Sequence, residues 1–369
     1  MLLKTLSLEH YRNIGQLRLE ASPEVNILIG ENAQGKTNIL ESLFVLALLR
    51  SHRTHKDREL IGWDSEHAVI AADITRKLGD VRLHLVISGQ GKKARINGLE
   101  QQKLSQFIGT LNVVMFAPED LEIVKGSPGI RRRFMDMEIG QVHPSYLYHL
   151  QQYQRIVVQK NQYFKKTGPG GTNDMMLDVW NEQLARAGVK IIRMRQHFIT
   201  KLQAWAEQIH RGITGGREQL VVTYRPSVDF GEEEDETVLV NQFMIKLSQA
   251  KEQETRRGMC LIGPHRDDLS FAVNGKDVYA FGSQGQQRTV SLSLKLAELE
   301  LIRSEVGEYP ILLLDDVLSE LDRNRQSQLI ETFRGKVQTF ITTTSIDSIE
   351  AASLKDARLF RVQAGRVIE

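Results

Sequence analysis

The spacing of apolar residues changes several times along the chain, and each spacing predicts a different kind of element. From Leu2 to Glu20, polar and apolar residues alternate on both sides of a turn at 11–15, which predicts a hairpin at the edge of a sheet. Nearly continuous apolar runs predict buried strands at 25–29, 112–116, 311–314 and 339–344. Shorter runs predict further strands at 68–74, 81–88, 93–96, 220–224, 259–262 and 269–273.

Helical spacing of apolar residues appears between these strands. The stretches 146–165 and 175–209 flank a glycine-rich break at 167–171, and together they predict a helical hairpin. Two more helices are predicted at 238–257 and 289–303. Strands that alternate with helices around one glycine loop predict an α/β fold with a parallel sheet and a ligand at the carboxyl ends of its strands.

The loop between the predicted strand at 25–29 and a helix at 38–50 carries the strongest chemical signal. It has two glycines separated by four residues and followed by Lys36 and Thr37, which is the phosphate-loop pattern. Glycines let backbone N–H groups approach phosphate, and the helix N-terminus adds a favourable partial charge. Lys36 is predicted to reach the β- and γ-phosphates, and the Thr37 hydroxyl to ligate Mg²⁺. The predicted nucleotide-binding residues are Gly30, Glu31, Asn32, Ala33, Gln34, Gly35, Lys36, Thr37 and Asn38.

Two adjacent carboxylates, Asp315 and Asp316, end the apolar strand at 311–314. Phosphoryl transfer requires neutralised charge and an aligned water, so a carboxylate at a strand end fits the reaction. We expect Asp315 to belong to the Mg²⁺ shell together with Thr37, and Asp316 to polarise the attacking water. The predicted catalytic residues are therefore Lys36, Asp315 and Asp316.

A second phosphate-binding turn is predicted far along the chain, where Ser283-Gln284-Gly285-Gln286 precedes a helix. One nucleotide needs only one phosphate loop. The second turn is explained if Ser283, Gly285 and Gln286 contact a nucleotide held by another subunit.

The length, net charge and cysteine content of the chain bear on its domain number, its mode of nucleic-acid binding and its location, but they do not identify its function. At 369 residues the chain exceeds the usual size of one domain, so two domains or lobes are expected. The formal charge of +2 means that any binding to nucleic acid must come from local patches. One cysteine, Cys260, together with no signal-peptide hydrophobic region and no bilayer-spanning apolar run, predicts a cytoplasmic protein.

Basic residues outside the loop are the candidates for DNA phosphate contacts. Arg131, Arg132 and Arg133 form one cluster, and Lys165 and Lys166 lie on the predicted hairpin. The hairpin is expected to expose further cations at Arg155, Lys160, Arg186, Lys190, Arg193, Arg195 and Lys201. A solvated surface explains these cations nearly as well, and the basic stretch at 50–56 is an alternative contact for nucleotide or DNA.

The ordered set of motifs resembles the ABC-type ATPases, in which Gly282 to Gln286 stands at the signature motif and Ser319-Glu320-Leu321-Asp322 at the D-loop. A finer resemblance is to the RecF family within the SMC-like members of that superfamily. It is carried by motifs at 11–13, 30–37, 50–54, 131–134, 263–268, 283–288 and 314–322.

This resemblance implies an ATPase head that joins a parallel sheet with an antiparallel β subdomain. The head is expected at 1–116 and 258–369, with a mainly helical insertion at 117–257. It also implies an ATP-dependent homodimer that uses ATP and Mg²⁺ and hydrolyses ATP weakly, stimulated by DNA. The dimer is expected to bind gaps and single-strand/double-strand junctions without reading sequence, and to assist loading of RecA with RecO and RecR.

Three departures from the broader ATPase pattern favour slow turnover, as in a switch. Ala117-Pro118-Glu119 stands where many relatives have a glutamine, Asp316 replaces the usual glutamate, and Thr344 replaces the usual histidine. The alternatives are an ATPase subunit of a transporter, another SMC-like DNA-processing complex, and a small-molecule kinase. Dimerisation in response to ATP would argue against the kinase, and binding to DNA would argue against the transporter.

Overall fold

All but one of the predicted strands, and all of the predicted helices, recur in the structure. This structure is a computed structural model that describes residues 1–167, 174–231, 233, 235–317, 326, 335–345 and 357–368. Numbered in chain order, the elements of the first part are β1 (Leu2–Tyr11), β2 (Ile14–Glu20), β3 (Val25–Ile29), α1 (Lys36–Leu48), β4 (His67–Arg76), β5 (Gly79–Ser88), β6 (Gly91–Ile96), β7 (Leu99–Glu100) and β8 (Val113–Phe116). The middle part contains α2 (Leu121–Lys125), α3 (Pro128–Val142), α4 (Pro144–Thr167), α5 (Asp174–Ile213), β9 (Leu220–Arg225), α6 (Glu236–Arg257), β10 (Asp268–Val273), β11 (Lys276–Asp277) and α7 (Val278–Phe281). The last part contains α8 (Gln284–Val306), β12 (Ile311–Asp315), β13 (Thr339–Thr343), β14 (Ala357–Gln363) and β15 (Arg366–Ile368).

The first of two compact units, Met1–Asp120 with Ser291–Glu369, contains two six-stranded sheets. One has the order β15-β14-β3-β13-β12-β8, and its strands are parallel except for the edge strand β15. The other, antiparallel throughout, has the order β2-β1-β4-β5-β6-β7. This combination confirms the predicted head fold, and it confirms the β1–β2 hairpin at a sheet edge.

Burial along the strands explains their patterns. All five residues of β12 are buried, which is why that strand is apolar without alternation. In β4, buried and half-buried residues alternate from Ala68 to Ile74, because only one face of the antiparallel sheet packs on the core. The carboxyl ends of β3, β12 and β13 lie at the same edge of the parallel sheet, since the three strands run in one direction.

The second unit, Leu121–Val290, is mainly helical and includes the three-stranded sheet β11-β10-β9. Helices α4 and α5 form the predicted hairpin. Its apolar stripe is core, because Leu150, Tyr153, Leu184, Phe198 and Leu202 are buried.

Two features differ from the sequence-based expectation. The predicted strand at 259–262 is absent, because side chains take its backbone hydrogen bonds: the Cys260 N–H donates to Asn161 and the Leu261 N–H to Glu254. The segment 258–290 groups with the helices and not with the head, since β10 pairs with β9 from Asp268 to Val273. The boundary expected at 257/258 therefore lies inside the second unit.

None of the helices in the described part of the chain combines the length and apolar character that crossing a membrane requires.

Candidate nucleotide-binding site

The loop at 30–37 joins β3 to α1 at the carboxyl edge of the parallel sheet. Gly30 is required by close packing, because a Cβ on it would lie 2.3 Å from the Val362 carbonyl oxygen. Gly35 is the N-cap of α1 and has a φ of 112°, which glycine adopts without strain. The helix N-terminus therefore opens directly beneath the loop, as phosphate binding requires.

Lys36 and Thr37 occupy the first turn of α1. The Lys36 ammonium donates to the carbonyl oxygens of Gly30 and Glu31 at 2.6 and 2.8 Å. Burial lowers the pKa of Lys36, although Asp316 and Asp315 act in the opposite direction. The ammonium is thus held inside the loop.

Asp315 ends β12 and lies beside Thr37. Its Oδ1 accepts hydrogen bonds from the hydroxyls of Thr37 at 2.9 Å and Thr342 at 2.8 Å. Burial raises the pKa of Asp315, and these two hydrogen bonds oppose that rise. A buried carboxylate next to a hydroxyl is an oxygen pair that suits a hard cation.

Asp316 turns out of the sheet. Its φ is 55°, its N–H donates to the Thr342 hydroxyl at 2.9 Å, and its side chain is exposed. The two consecutive carboxylates therefore lie in different surroundings: Asp315 is buried against α1, and Asp316 lines the cavity. The roles of Asp315 at Mg²⁺ and of Asp316 at the attacking water stay predictions.

The cavity above the loop has a volume of about 340 Å³ and includes Lys36, Thr37 and Asp316 in its lining. Three further lining residues, Asn13, Arg53 and Thr342, were not among the predicted site residues. Asn13 belongs to one of the motifs that carry the RecF resemblance, and Arg53 lies in the basic stretch at 50–56. Thr342 had a weaker signal: it stands at the polar end of the strand next to the one that carries the carboxylates.

Some of the other predicted loop residues line the cavity, and one binds a neighbouring turn instead. Asn32, Ala33 and Asn38 line the cavity, and Glu31 is exposed. The Gln34 side chain instead accepts from the Ala364 N–H at 2.7 Å, so it ties the loop to the β14–β15 turn.

Thr37 and Asp315 fit Mg²⁺ by donor type. Among the described residues no cluster of three or more histidine, cysteine, aspartate or glutamate side chains forms a metal site. A Mg²⁺ ion here would therefore take its remaining ligands from phosphate oxygens and water, which is the usual arrangement for this ion.

The predicted signature turn lies in the second unit, where Ser283 directly precedes α8. The Gln286 N–H donates to the Ser283 hydroxyl at 3.2 Å, and the Ser283 N–H donates to Gln286 Oε1 at 3.0 Å. This is a reciprocal capping box. Ser283 is exposed, and Gly285 lies in the first turn of the helix.

Gln286 is tied further into the unit. Its Nε2 donates to Glu218 at 3.0 Å, and Glu218 also contacts the buried His210. The Gln286 side chain thus shapes the turn. The predicted D-loop at 319–322 lies outside the described residues.

All three departures from the broader ATPase pattern lie among the described residues, and Asp316 has been described above. Glu119 is exposed in a short turn after β8 that is closed by a hydrogen bond from the Ala117 N–H to Asp120 at 2.7 Å. Thr344 is exposed directly after β13.

The arginine cluster predicted to contact DNA is largely engaged within the second unit. Arg131 is buried and pairs with both carboxylate oxygens of Asp268, at 2.6 and 2.9 Å. Arg132 donates to the Asp267 carbonyl at 2.8 Å, and Arg133 is half-buried. Two motifs that the sequence leaves unconnected, at 131–134 and 263–268, therefore bind each other.

The exposed face expected for the hairpin needs correction at two positions. Lys160 is buried and donates to Glu254 and Asn181, each at 2.7 Å. Arg195 is buried and donates to Asp136 and Asp267. Burial of a charge is tolerated where it is paired in this way. Lys165 and Lys166, by contrast, are exposed.

A phosphate loop at the edge of a parallel sheet, in a unit that also contains an antiparallel sheet, defines the class of P-loop ATPase heads of the ABC and SMC type. The family model for the RecF/RecN/SMC N terminal domain matches residues 2–367. A curated relative in Bacillus cereus (strain G9842), DNA replication and repair protein RecF, is 55% identical over 368 residues, which is 100% of this chain and 98% of the relative. A protein of the same name in Bacillus mycoides (strain KBAB4) is 54% identical over the same shares.

Two solved structures are similar to this chain over nearly their whole length. A structure of the recombination mediator protein RecF with ATP, described as part of the RecFOR pathway, has a TM-score of 0.92 at 32% identity and covers 100% of this chain and 97% of that one. An Smc head domain from Pyrococcus furiosus, with a TM-score of 0.55 at 14% identity over 100% and 96% of the two chains, shares the fold. The chain belongs to the RecF/RecN/SMC N terminal domain family, and within it to the RecF proteins.

Proposed function

We propose that this protein is an ATP-dependent DNA-binding protein of recombinational repair. ATP binds over the loop at 30–37, and two protomers then close so that the Ser283 turn of each faces the nucleotide of its partner. The closed dimer holds DNA at gaps and single-strand/double-strand junctions in the cytoplasm. It acts with RecO and RecR to assist RecA loading, and weak, DNA-stimulated hydrolysis releases it.

The observation that carries the proposal is the pairing of Thr37 with Asp315 beside a cavity that Lys36 and Asp316 line. Lys36 would bind the β- and γ-phosphates once it leaves the loop carbonyls. Thr37 and Asp315 would hold Mg²⁺, which supplies positive charge against the phosphates. Asp316 would orient the attacking water, and its short, exposed side chain supports slow hydrolysis.

The composite site is supported by the chemistry of the second turn. Ser283 is exposed at the N-terminus of a 23-residue helix, and its capping box, which uses the N–H groups of Ser283 and Gln286, fixes the turn. The Ser283 oxygen accepts within this box, so its O–H can donate to an anion at the positive end of the helix. The match to a RecF structure with ATP over 100% of this chain supports ATP as the nucleotide.

The test measures mass and DNA binding in parallel, on gapped duplex, with and without a non-hydrolysable ATP analogue. Wild type should dimerise and bind DNA more tightly with the analogue. Lys36→Ala removes a charge-assisted contact worth roughly 2 kcal/mol, so it should weaken ATP binding by about 10- to 100-fold. Lys93→Ala, an exposed lysine on β6, is the matched control.

Ser283→Arg should bind the analogue normally and stay monomeric, because a bulky cation does not fit against a partner's phosphates. Ser248→Arg, an exposed serine on α6 of the same unit, should dimerise normally. Dimers of Ser283→Arg would refute the composite site. Dimerisation of wild type without any binding to DNA would favour the transporter class.

A further inference from the structure

We infer that Glu41 is a positioning residue of the nucleotide site: its buried carboxylate holds two separate loops over the phosphate loop and aims Arg53 into the cavity. The inference rests on the proposed function, because it concerns the same site.

Glu41 lies on α1 one helical turn beyond Thr37 and is 0% exposed. Its Oε2 accepts from Arg12 Nε at 2.9 Å, and its Oε1 accepts from Arg12 Nη2 at 2.7 Å and from the Ser51 hydroxyl at 2.6 Å. Burial raises the pKa of Glu41, but the hydrogen bonds from Arg12 and Ser51 and the nearby charges outweigh burial and lower it. The group is therefore a carboxylate in the folded protein.

Each partner of Glu41 fixes a different loop. Arg12 belongs to the β1–β2 turn and neighbours Asn13, which lines the cavity. The Ser51 hydroxyl accepts the N–H groups of Arg53 and Thr54 at 2.9 and 3.1 Å, so it sets the backbone that carries Arg53. One carboxylate thus positions both borders of the cavity.

The two loops also meet directly over the phosphate loop. Arg53 Nη1 donates to Asn38 Oδ1 at 2.9 Å, and Asn38 Nδ2 donates to Asn13 Oδ1 at 2.7 Å. Asn13 in turn lies against Gly35, where a Cβ would come within 3.0 Å of its Oδ1. A shift of either loop would therefore reach the glycine at the start of α1.

The charges explain why Arg53 is available to phosphate. Glu41 forms a bidentate pair with Arg12, whereas its nearest approach to Arg53 is 3.9 Å. Arg53 is 43% exposed and lines the cavity. Because Arg12 takes both carboxylate oxygens of Glu41, Arg53 is only weakly paired with Glu41, and its guanidinium at the cavity favours a polyphosphate.

The test is a double-mutant cycle on the affinity for a fluorescent ATP analogue, with Glu41→Gln, Arg53→Ala and the double variant. If Glu41 acts by aiming Arg53, each single change should weaken binding by about 10-fold, and Arg53→Ala should cost less than about 3-fold once Glu41 is glutamine. Glu9→Gln, an exposed carboxylate on β1, should bind like wild type. Additive losses in the cycle would overturn the inference, because a purely structural Glu41 would weaken binding whether or not Arg53 is present.

Ser51→Ala provides a second cycle in case Glu41→Gln does not fold, because it removes the bridge to Arg53 without leaving a buried charge unpaired. It should show the same non-additivity with Arg53→Ala, and additive losses here would equally overturn the inference. Failure of wild type to bind the analogue would instead refute the proposed function. Binding that Lys36→Ala abolishes, together with additive cycles, would refute only the positioning role.

Discussion

The stability of the second unit should fall steeply between pH 7 and pH 5 because of one buried histidine. His265 Nε2 lies 3.1 Å from the Cys260 carbonyl oxygen, and its Nδ1 lies 2.7 Å from the Tyr153 hydroxyl. A carbonyl only accepts, so Nε2 carries the proton and Nδ1 accepts from Tyr153. Burial lowers the pKa of His265 from 6.5 to about 4. A second proton, at Nδ1, would require the Tyr153 hydroxyl to give up the hydrogen bond that it donates and to accept one instead.

The size of the effect follows from linkage. The unfolded chain binds the proton first as pH falls, so folding stability decreases below pH 6.5 and this contribution is lost as pH passes the folded pKa of about 4. With these two pKa values, the loss between pH 7 and pH 5 is about 2 kcal/mol, and the full loss is about 3 kcal/mol.

The assay is urea unfolding at pH 7 and pH 5, followed by tryptophan fluorescence in a Trp63→Phe background. Trp63 is 95% exposed and lies in the first unit, so its removal leaves Trp180 and Trp205 to report on the second. His265→Gln should lose about 2 kcal/mol less than its parent between the two pH values, because glutamine does not titrate.

The contributions of other titratable histidines to the pH dependence are removed by comparing the parent with the variant. Burial also lowers the pKa of His149 and His210 in the same unit, but both are present in parent and variant and cancel in the difference. His197→Gln, which changes an exposed histidine on α5, should behave like the parent. Equal losses for parent and His265→Gln would refute the assignment of the pH dependence to His265.

The remaining predictions concern turnover, DNA and the core. Asp316→Asn should still bind ATP while hydrolysing it on the order of 100-fold more slowly, so light scattering should show longer-lived dimers; monomers with ATP would contradict the role of Asp316. Lys165→Ala with Lys166→Ala should reduce the slope of log K against log salt by up to about 1.8 for unrelated duplexes, and an unchanged slope would move the DNA site to 50–56. Lys160→Met should cost roughly 3–5 kcal/mol by leaving Glu254 buried and unpaired, and adding Glu254→Gln should restore much of it in urea unfolding.

The sequence by itself determined the elements whose signal is local. The loop at 30–37 is identifiable because its two glycines and its Lys-Thr pair meet backbone requirements within eight residues. The parallel strands were predicted because burial on both faces makes them continuous apolar runs, and the hairpin of α4 and α5 was predicted because burial of one helix face imposes a helical period. The carboxylates at 315 and 316 were found because they interrupt an apolar run at a strand end.

Only the tertiary structure decided which charged side chains are buried in ion pairs, because their partners are distant in the chain. Three basic residues that the sequence analysis expected at the surface are buried, and each pairs with an acidic residue of another element. They are Arg131, Lys160 and Arg195. Arg131 and Asp268 are separated by 137 residues, and no periodicity relates them. The positions of Asn13 and Arg53 beside the phosphate loop could not be predicted from the sequence either. Glu41 brings their loops together only after the chain has folded.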